Sequence, residues 1–342
     1  MARALSRTRV SGGGRALPAQ LHAQLSRGGF HSGAELARRL GVSRTAIWKA
    51  VASLKELGVV VHAVRNRGYR LAVPCEPLGP EQIRAALRSS ARERIRRLEV
   101  VWSLASTNAA LLERSDLPPG AVDVLLAEHQ SAGRGRRGRA WLAPLGGAIC
   151  LSLGFSFLRV PRDLAALGLA VGVCARRVLG KRSREPIALK WPNDLTIGDR
   201  KLAGILIELR AESEGPAYVV IGLGINVALG RQLREKVEAT GTVPTDLEAA
   251  GADPLPRNAI VADLVSEIVE GLVRFEREGL RPFFEEWREA DALRGRPINV
   301  HSGEATTRGI ARGIDASGAL LIETPHGLQK LLSGEVSVRP RA

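Results

Sequence analysis

The stretch AEHQSAGRGRRGRAW, Ala127–Trp141, packs four arginines and three glycines into the seven residues Gly133–Arg139. Glycines at this spacing let backbone N–H groups converge on an anion. Guanidinium forks match the geometry of carboxylate and phosphate. Two chemistries fit: a nucleic-acid tract, or a loop folded around a small anion. The next residues, AWLAPLGGAICLSL, form an ordered aromatic-to-strand pattern, and the segment lies outside the basic first third of the chain. That context favours a substrate loop. Further along, LKWPND sets Lys190 at a strand end beside a Trp-Pro turn, and DRKLAGILIE sets Lys201 just before a strand. A lysine so placed can pair with an oxygen that gains negative charge. Ser106, Thr107 and Asn108 cluster three small hydrogen-bonding side chains suited to a polar ligand head. Each of these taken alone is equally a capping or surface residue. No Walker loop, G-x-S-x-G elbow or H-E-x-x-H pattern occurs.

The chain of 342 residues is long enough for two or three domains. Its net charge of +15 is unevenly spread: residues 1–100 hold 19 Lys and Arg against 6 Asp and Glu, and the remainder is near neutral. Such a block favours a polyanionic partner, although a coding bias toward arginine would also produce it. Cys75, Cys150 and Cys174 show no paired spacing, which fits a reducing cytoplasm and argues against a thiolate zinc site. Six scattered histidines argue against a His-based metal site. The longest apolar run, Leu164–Ala175, is too short to span a bilayer.

The elements that must carry these residues are legible in outline. Residues 1–16 read as a flexible basic arm. Over 17–74, Leu17, Leu21 and Leu25 recur at helical spacing, and Ser32 with Glu35 forms a capping box that starts a helix ended by Gly41. Ser43 caps the next helix, whose apolar stripe is Ile47, Val51 and Leu54. VVVHAVRNRGYRLAV then predicts a hairpin with a basic tip. Helix-turn-helix plus hairpin is a winged helix. Ser43, Arg44, Thr45 and Lys49 near the start of its third helix, with Arg65 and Arg67 on the wing, are the candidate DNA contacts. A winged helix used for protein contact remains the alternative. A Pro-rich linker follows, Pro74–Pro80, and EQIRAALRSSARERIRRL predicts a basic helix. Strands and helices alternate through 80–290, with a loop-rich excursion over residues 230–258. Short strands with glycine turns close the chain over 291–342, a small barrel-like module. The expected fold class is α+β.

In chain order, STN, AEHQSAGRGRRGRAW, LKWPNDL, RKLAGILIE and GLGINV closely resemble the biotin–protein ligases, and the resemblance extends over about residues 17–340. It is most similar to the bifunctional bacterial form, which also represses the biotin biosynthetic operon. The resemblance implies a central catalytic domain of the biotin/lipoate ligase type and a C-terminal SH3-like barrel. It implies that biotin and Mg·ATP react to biotinyl-5′-AMP, and that a lysine of the biotin carboxyl carrier protein then takes the biotin. Magnesium is carried by ATP, with no metal ligand implied in the chain. Ser106, Thr107, Asn108, Gln130, Arg134, Gly135, Arg136 and Lys190 match biotin-binding positions. Gly133, Arg137, Arg139, Trp141, Asn193 and Asn226 match nucleotide-binding ones. Arg136, Lys190, Asp194 and Lys201 match the catalytic ones. It further implies a homodimer when the adenylate is bound, which places two winged helices on operator DNA. Lipoate ligation is the nearest catalytic rival. Trp48 and the basic arm depart from the pattern. A biotin sensor without ligase activity, and a ligase without repression, are the other readings.

Overall fold

The computed structural model describes residues 17–72, 75–114, 116–161, 163–211, 217–252, 255–302, 305–332 and 336–340. The basic arm read at 1–16, Pro74 of the linker, and Gly334 and Glu335 of the closing GEVSVR lie outside them. The chain divides into two compact units, Met1–Pro74 and Cys75–Ala342.

In the first unit the helix ends follow from capping. Ser32 Oγ accepts from Glu35 N at 3.1 Å, and Gly41 stops the helix with φ 66°. Ser43 Oγ accepts from Ala46 N at 3.1 Å. These ends set α2 (Gly33–Leu40) and α3 (Arg44–Glu56), which pack with α1 (Leu17–Leu25) around Leu21, Leu25, Leu36, Ile47 and Leu54, all buried. β1 (Val61–Val64) and β2 (Gly68–Leu71) form the antiparallel wing. Gly68 is obligatory: its φ is 99°, and a Cβ there would lie 2.0 Å from His31 O.

The second unit opens differently from expectation. Instead of one basic helix there are two short ones, α4 (Pro80–Ala86) and α5 (Ser89–Arg92), and then strand β3 (Ile95–Leu104). Leu87 and Arg88 are extended, and Arg92 covers the freed carbonyls of Ala85 and Leu87 at 3.1 and 2.9 Å. Beyond that break Ile95 and Leu98 go to the core and Arg97 to solvent, so packing on the sheet overrides helix propensity.

There follow α6 (Thr107–Leu112), β4 (Val122–Gln130), β5 (Ala148–Phe157), α7 (Leu167–Leu179), β6 (Ala188–Lys190), β7 (Asp194–Ile197), β8 (Arg200–Ala211) and β9 (Ala217–Asn226). The sheet order is β3-β4-β5-β9-β8-β7-β6, with only β3 and β4 parallel. The excursion after β9 contains a helix, α8 (Arg231–Glu238), where loop was expected. None of its residues is fully buried, and its apolar face is only the pair Leu233 and Val237, too short a pattern to announce a helix. α9 (Arg257–Glu278) and α10 (Phe284–Glu289) complete the helical cover.

β10 (Pro297–Ser302), β11 (Ala305–Ile314), β12 (Leu320–Thr324), β13 (Gly327–Leu331) and β14 (Val336–Pro340) form an antiparallel sheet in the order β13-β12-β11-β10-β14. Its Ile298, Ala311, Leu320 and Ile322 share one apolar core with the larger sheet. Trp191, buried on the larger sheet, donates from Nε1 to Gly318 O at 3.1 Å.

Candidate active site

On β8 the side chains alternate. Ile205 and Ile207 meet α7 at Gly172 and Gly168, which leaves Gly204, Leu206 and Glu208 on the opposite face. A cavity of about 730 Å³ lies over that face. Its floor is glycine, with Gly204 directly across from Gly224 of β9. A Cβ at Gly224 would lie 2.3 Å from Cε2 of Trp141, and one at Gly222 would lie 2.3 Å from Oδ1 of Asn108. The bare backbone thus lets the indole lie on the sheet and lets Asn108 reach over it.

At one end of the cavity the side chains hold each other. Ser106 Oγ caps α6 by accepting from Ala109 N at 3.4 Å, which sets Thr107 and Asn108 in the first turn. Thr107 donates to Gln130 Oε1 from its backbone N (2.7 Å) and its hydroxyl (3.1 Å). The Ser152 hydroxyl stands 2.7 Å from Thr107 Oγ1 and 2.6 Å from Asn108 Oδ1. Asn108 Nδ2 donates to Leu206 O at 3.3 Å and to Glu208 Oε2 at 2.8 Å. A connected, buried network of this kind fixes the orientation of every member.

The arginine loop is a pinned hairpin. Trp141 N donates to Gly133 O at 2.9 Å, and Gly135 N to Arg139 O at 2.7 Å. Arg136–Gly138 makes a single 3-10 turn, in which Arg137 takes a left-handed conformation with φ 58°. Arg136 Nη1 donates to Asn193 Oδ1 at 3.4 Å, across the cavity from the loop's root. Burial lowers the Arg136 pKa, an effect opposed by the charge of Asp194, and the guanidinium stays protonated at any physiological pH.

The facing wall is the KWPND turn. The Trp191–Pro192 bond is cis. Asn193 is tied to Ile205 by two hydrogen bonds: its O accepts from Ile205 N at 2.9 Å, and its Nδ2 donates to Ile205 O at 2.7 Å. Lys201 Nζ pairs with Asp194 Oδ1 at 2.6 Å and lies 5.9 Å from the Trp141 ring centre. Arg296, brought in by the C-terminal sheet, grips Asp199 with both nitrogens at 2.6 and 3.2 Å, and this holds the Asp199 carboxyl below its usual range. The lining carries seven Lys or Arg side chains against two Asp. Trp141 Nε1 and Thr196 Oγ1 are buried at its surface without a protein partner. A cavity with this balance and idle polar groups suits an anionic ligand with hydrogen-bonding parts. Among the described residues, no group of three His, Cys, Asp or Glu side chains could hold a metal ion.

Most of the chain is similar to known proteins. Residues 102–226 match the Biotin/lipoate A/B protein ligase family, 19–70 match an HTH domain, and 294–339 match the Biotin protein ligase C terminal domain. The bifunctional ligase/repressor BirA of Escherichia coli is 39% identical over 94% of this chain and 97% of its own. The chain belongs to the biotin protein ligase family. A biotin–[acetyl-CoA-carboxylase] ligase of Paracoccus denitrificans is 32% identical over 68% of this chain and 98% of its own. The Aquifex aeolicus biotin protein ligase, solved with biotin and ATP, superposes with a TM-score of 0.59 at 29% identity, covering 73% of this chain and all of that one.

Of the ligase residues expected from sequence, the cavity lining gathers Ser106, Thr107, Asn108 and Gln130 from one end. Arg134, Gly135, Arg136, Arg137, Arg139 and Trp141 come from the loop, and Lys190, Asn193, Asp194, Lys201 and Asn226 from the facing wall and floor. Gly133 does not line it. Its own role is steric, since a Cβ there would lie 2.5 Å from Trp141 O and open the root of the loop. Asn226 uses its amide hydrogens on Lys201 O (3.3 Å) and Thr245 O (2.9 Å), so it braces the backbone under Lys201. Sequence reasoning missed Ser152, Glu208, Asp199, Arg296 and the lining segment Thr240–Pro244. Ser152 and Glu208 carried a signal, as polar residues set within apolar runs of their strands. Arg296 and Thr240–Pro244 carried none, because they reach the site only through the tertiary fold. In the other unit, Ser43, Arg44, Thr45, Lys49, Arg65 and Arg67 are all exposed, as is Trp48 at 62%. Arg67 also lies 4.3 Å over the Phe30 ring.

Proposed function

We propose that this ligase joins biotin to ATP as biotinyl-5′-AMP, then passes biotin to a lysine of the biotin carboxyl carrier protein of acetyl-CoA carboxylase. The observation that carries the reading is the pinned arginine loop facing Lys190 and Lys201 across a cationic cavity whose far end is a rigid polar network. In the first step a biotin carboxylate oxygen attacks the α-phosphorus and pyrophosphate leaves. Two anions must meet, and each unit pair at 4 Å costs about 4 kcal/mol at an effective dielectric near 20. Arg136 and Lys190 offset that repulsion where it is greatest. Magnesium enters with the nucleotide in this reading and offsets further phosphate charge. Trp141 covers the adenine side, with Arg139 at the phosphate. In the second step the carrier amine attacks the acyl carbon and AMP leaves. The acyl-adenylate would hydrolyse if wet, so the loop's closure protects it. Thr107, Asn108 and Gln130 suit the ureido head of biotin, whose polar groups need fixed partners. The dithiolane of lipoate needs none, which favours biotin over the rival acid.

The winged helix supports a second, linked activity. Arg44, Thr45 and Lys49 stand exposed on α3, with Arg65 and Arg67 at the wing tip. In this reading the adenylate-bound enzyme dimerises in the cytoplasm and represses biotin synthesis genes from a palindromic operator. No helix among the described residues is long and apolar enough to cross a membrane. Biotin-dependent exchange of pyrophosphate into ATP, with lipoate and octanoate in parallel, tests the catalytic proposal. Exchange with biotin alone supports it, exchange with lipoate moves the protein to the rival reaction, and no exchange with any acid leaves a DNA-binding sensor.

A further inference from the structure

Glu208 stands just past the end of the cavity, outside its lining. It follows Gly204 and Leu206 on the same face of β8, in a run that is otherwise apolar from Leu202 to Leu209 apart from its glycine. Its two oxygens serve different partners. Oε2 accepts from Asn108 Nδ2 at 2.8 Å, and Oε1 stands 3.4 Å from a guanidinium nitrogen of Arg134. Asn108 belongs to the fixed polar network, and Arg134 is the first arginine of the loop. One carboxylate therefore ties the loop to the acid pocket.

We propose that Glu208 is a positioning residue: its charge latches the arginine loop over the acyl-adenylate through Arg134, while its second oxygen aligns Asn108 in the acid pocket. This rests on the adenylating reading above. The exposure of the pair decides how strong the latch is. The Arg134 side chain is 46% exposed and that of Glu208 25%. A pair so open to solvent changes an equilibrium by a factor of about two to five. That is enough to slow escape of the adenylate, and weak enough for the loop to open for the carrier lysine in every turnover. A buried pair would hold the loop shut.

The two functions separate by substitution. Glu208→Gln keeps an oxygen for Asn108 and removes the charge facing Arg134. Glu208→Ala removes both. The full-length enzyme is loaded with radiolabelled adenylate, chased with unlabelled biotin in the absence of carrier, and followed for release. The biotin KM is taken separately from pyrophosphate exchange. Glu208→Gln is expected to release adenylate about two- to fivefold faster at low salt with its biotin KM unchanged. The ratio of variant to wild-type release is expected to fall toward one as salt rises from about 0.05 to 0.5 M, because screening dissolves the latch in the wild type too. Glu208→Ala is expected to raise the biotin KM as well. A release ratio of one at every salt concentration overturns the latch, and so does a ratio that salt does not change. A biotin KM that Glu208→Ala leaves unchanged overturns the alignment of Asn108. Wild-type exchange with biotin is measured first: its absence would count against the adenylating reading itself, whereas normal exchange with unaltered release in Glu208→Gln would sink only the latch.

Discussion

Replacing Gly224 by alanine tests whether the glycine floor exists to seat Trp141. The added Cβ would lie 2.3 Å from Cε2, 2.6 Å from Cζ2 and 2.7 Å from Nε1 of the indole. Carbon atoms rest at about 3.5–4.0 Å, so the ring must lift by at least about 1 Å. The opposing strand cannot give way, since Gly224 is held in register against Cys150 on one side and Gly204 on the other. Overpacking of this kind costs about 1–3 kcal/mol, or about 2–10 °C in the melting temperature of a unit this size. The functional cost is larger, because a shift of about 1 Å at a covering group can lower the rate about 100-fold. A fall of at least tenfold in kcat/KM for ATP is expected, measured by pyrophosphate exchange beside a thermal melt. The decisive measurement is a double-mutant cycle with Trp141→Ala. Without the indole, the same alanine at 224 meets no ring and costs little. Equal penalties in the two backgrounds would refute the argument. Gly180→Ala is the control, since a Cβ there meets nothing within 4 Å.

Arg136→Ala is expected to weaken adenylate retention and raise its leakage, and unchanged release kinetics in a trap assay would count against the loop assignment. Arg44→Ala combined with Arg67→Ala is expected to abolish operator binding and spare ligation, checked by gel shift and carrier biotinylation; equal loss of both would show that the two activities are not separable. Glu128→Ala strips the partner from the buried Arg257, 2.8 Å away, and a broken buried pair costs about 3–5 kcal/mol, visible as a lowered urea midpoint. Burial pushes the Asp291 carboxyl up to about 6, and its Oδ2 has no hydrogen-bond partner. The folded chain therefore holds the Asp291 proton more tightly than the unfolded chain, so stability falls as pH rises from about 4 through 6. Asp291→Asn keeps an oxygen for Leu293 N and is expected to raise the melting temperature at pH 8, with the gain shrinking through about pH 6 to 4 and vanishing below about pH 4; a gain independent of pH would contradict this.

Local chemistry was readable without coordinates. Ser32 and Ser43 start helices because a hydroxyl two or three residues ahead of free N–H groups is a cap wherever it occurs. The apolar stripe of α3 announces itself by its period, and the strands β4, β5 and β9 by near-continuous apolar runs. The arginine loop declared its taste for anions through composition alone. Helix α8 stayed hidden because only Leu233 and Val237 mark its inner face, and the break at Leu87 because the pull of the sheet on Ile95 and Leu98 comes from strands far away in sequence.

The sequence by itself determined the winged helix, the strands β4, β5, β8 and β9, and the kinds of groups that would meet the ligand, since capping, apolar patterning and charge act over a few residues. Only the tertiary structure decided that Gly222 and Gly224 seat Asn108 and Trp141, that Ser152 and Glu208 both hydrogen-bond to Asn108, and that Arg296 reaches Asp199 from the start of the C-terminal sheet. Those relations depend on which strands lie side by side and which face of each strand turns inward, and both are set by packing across the whole unit.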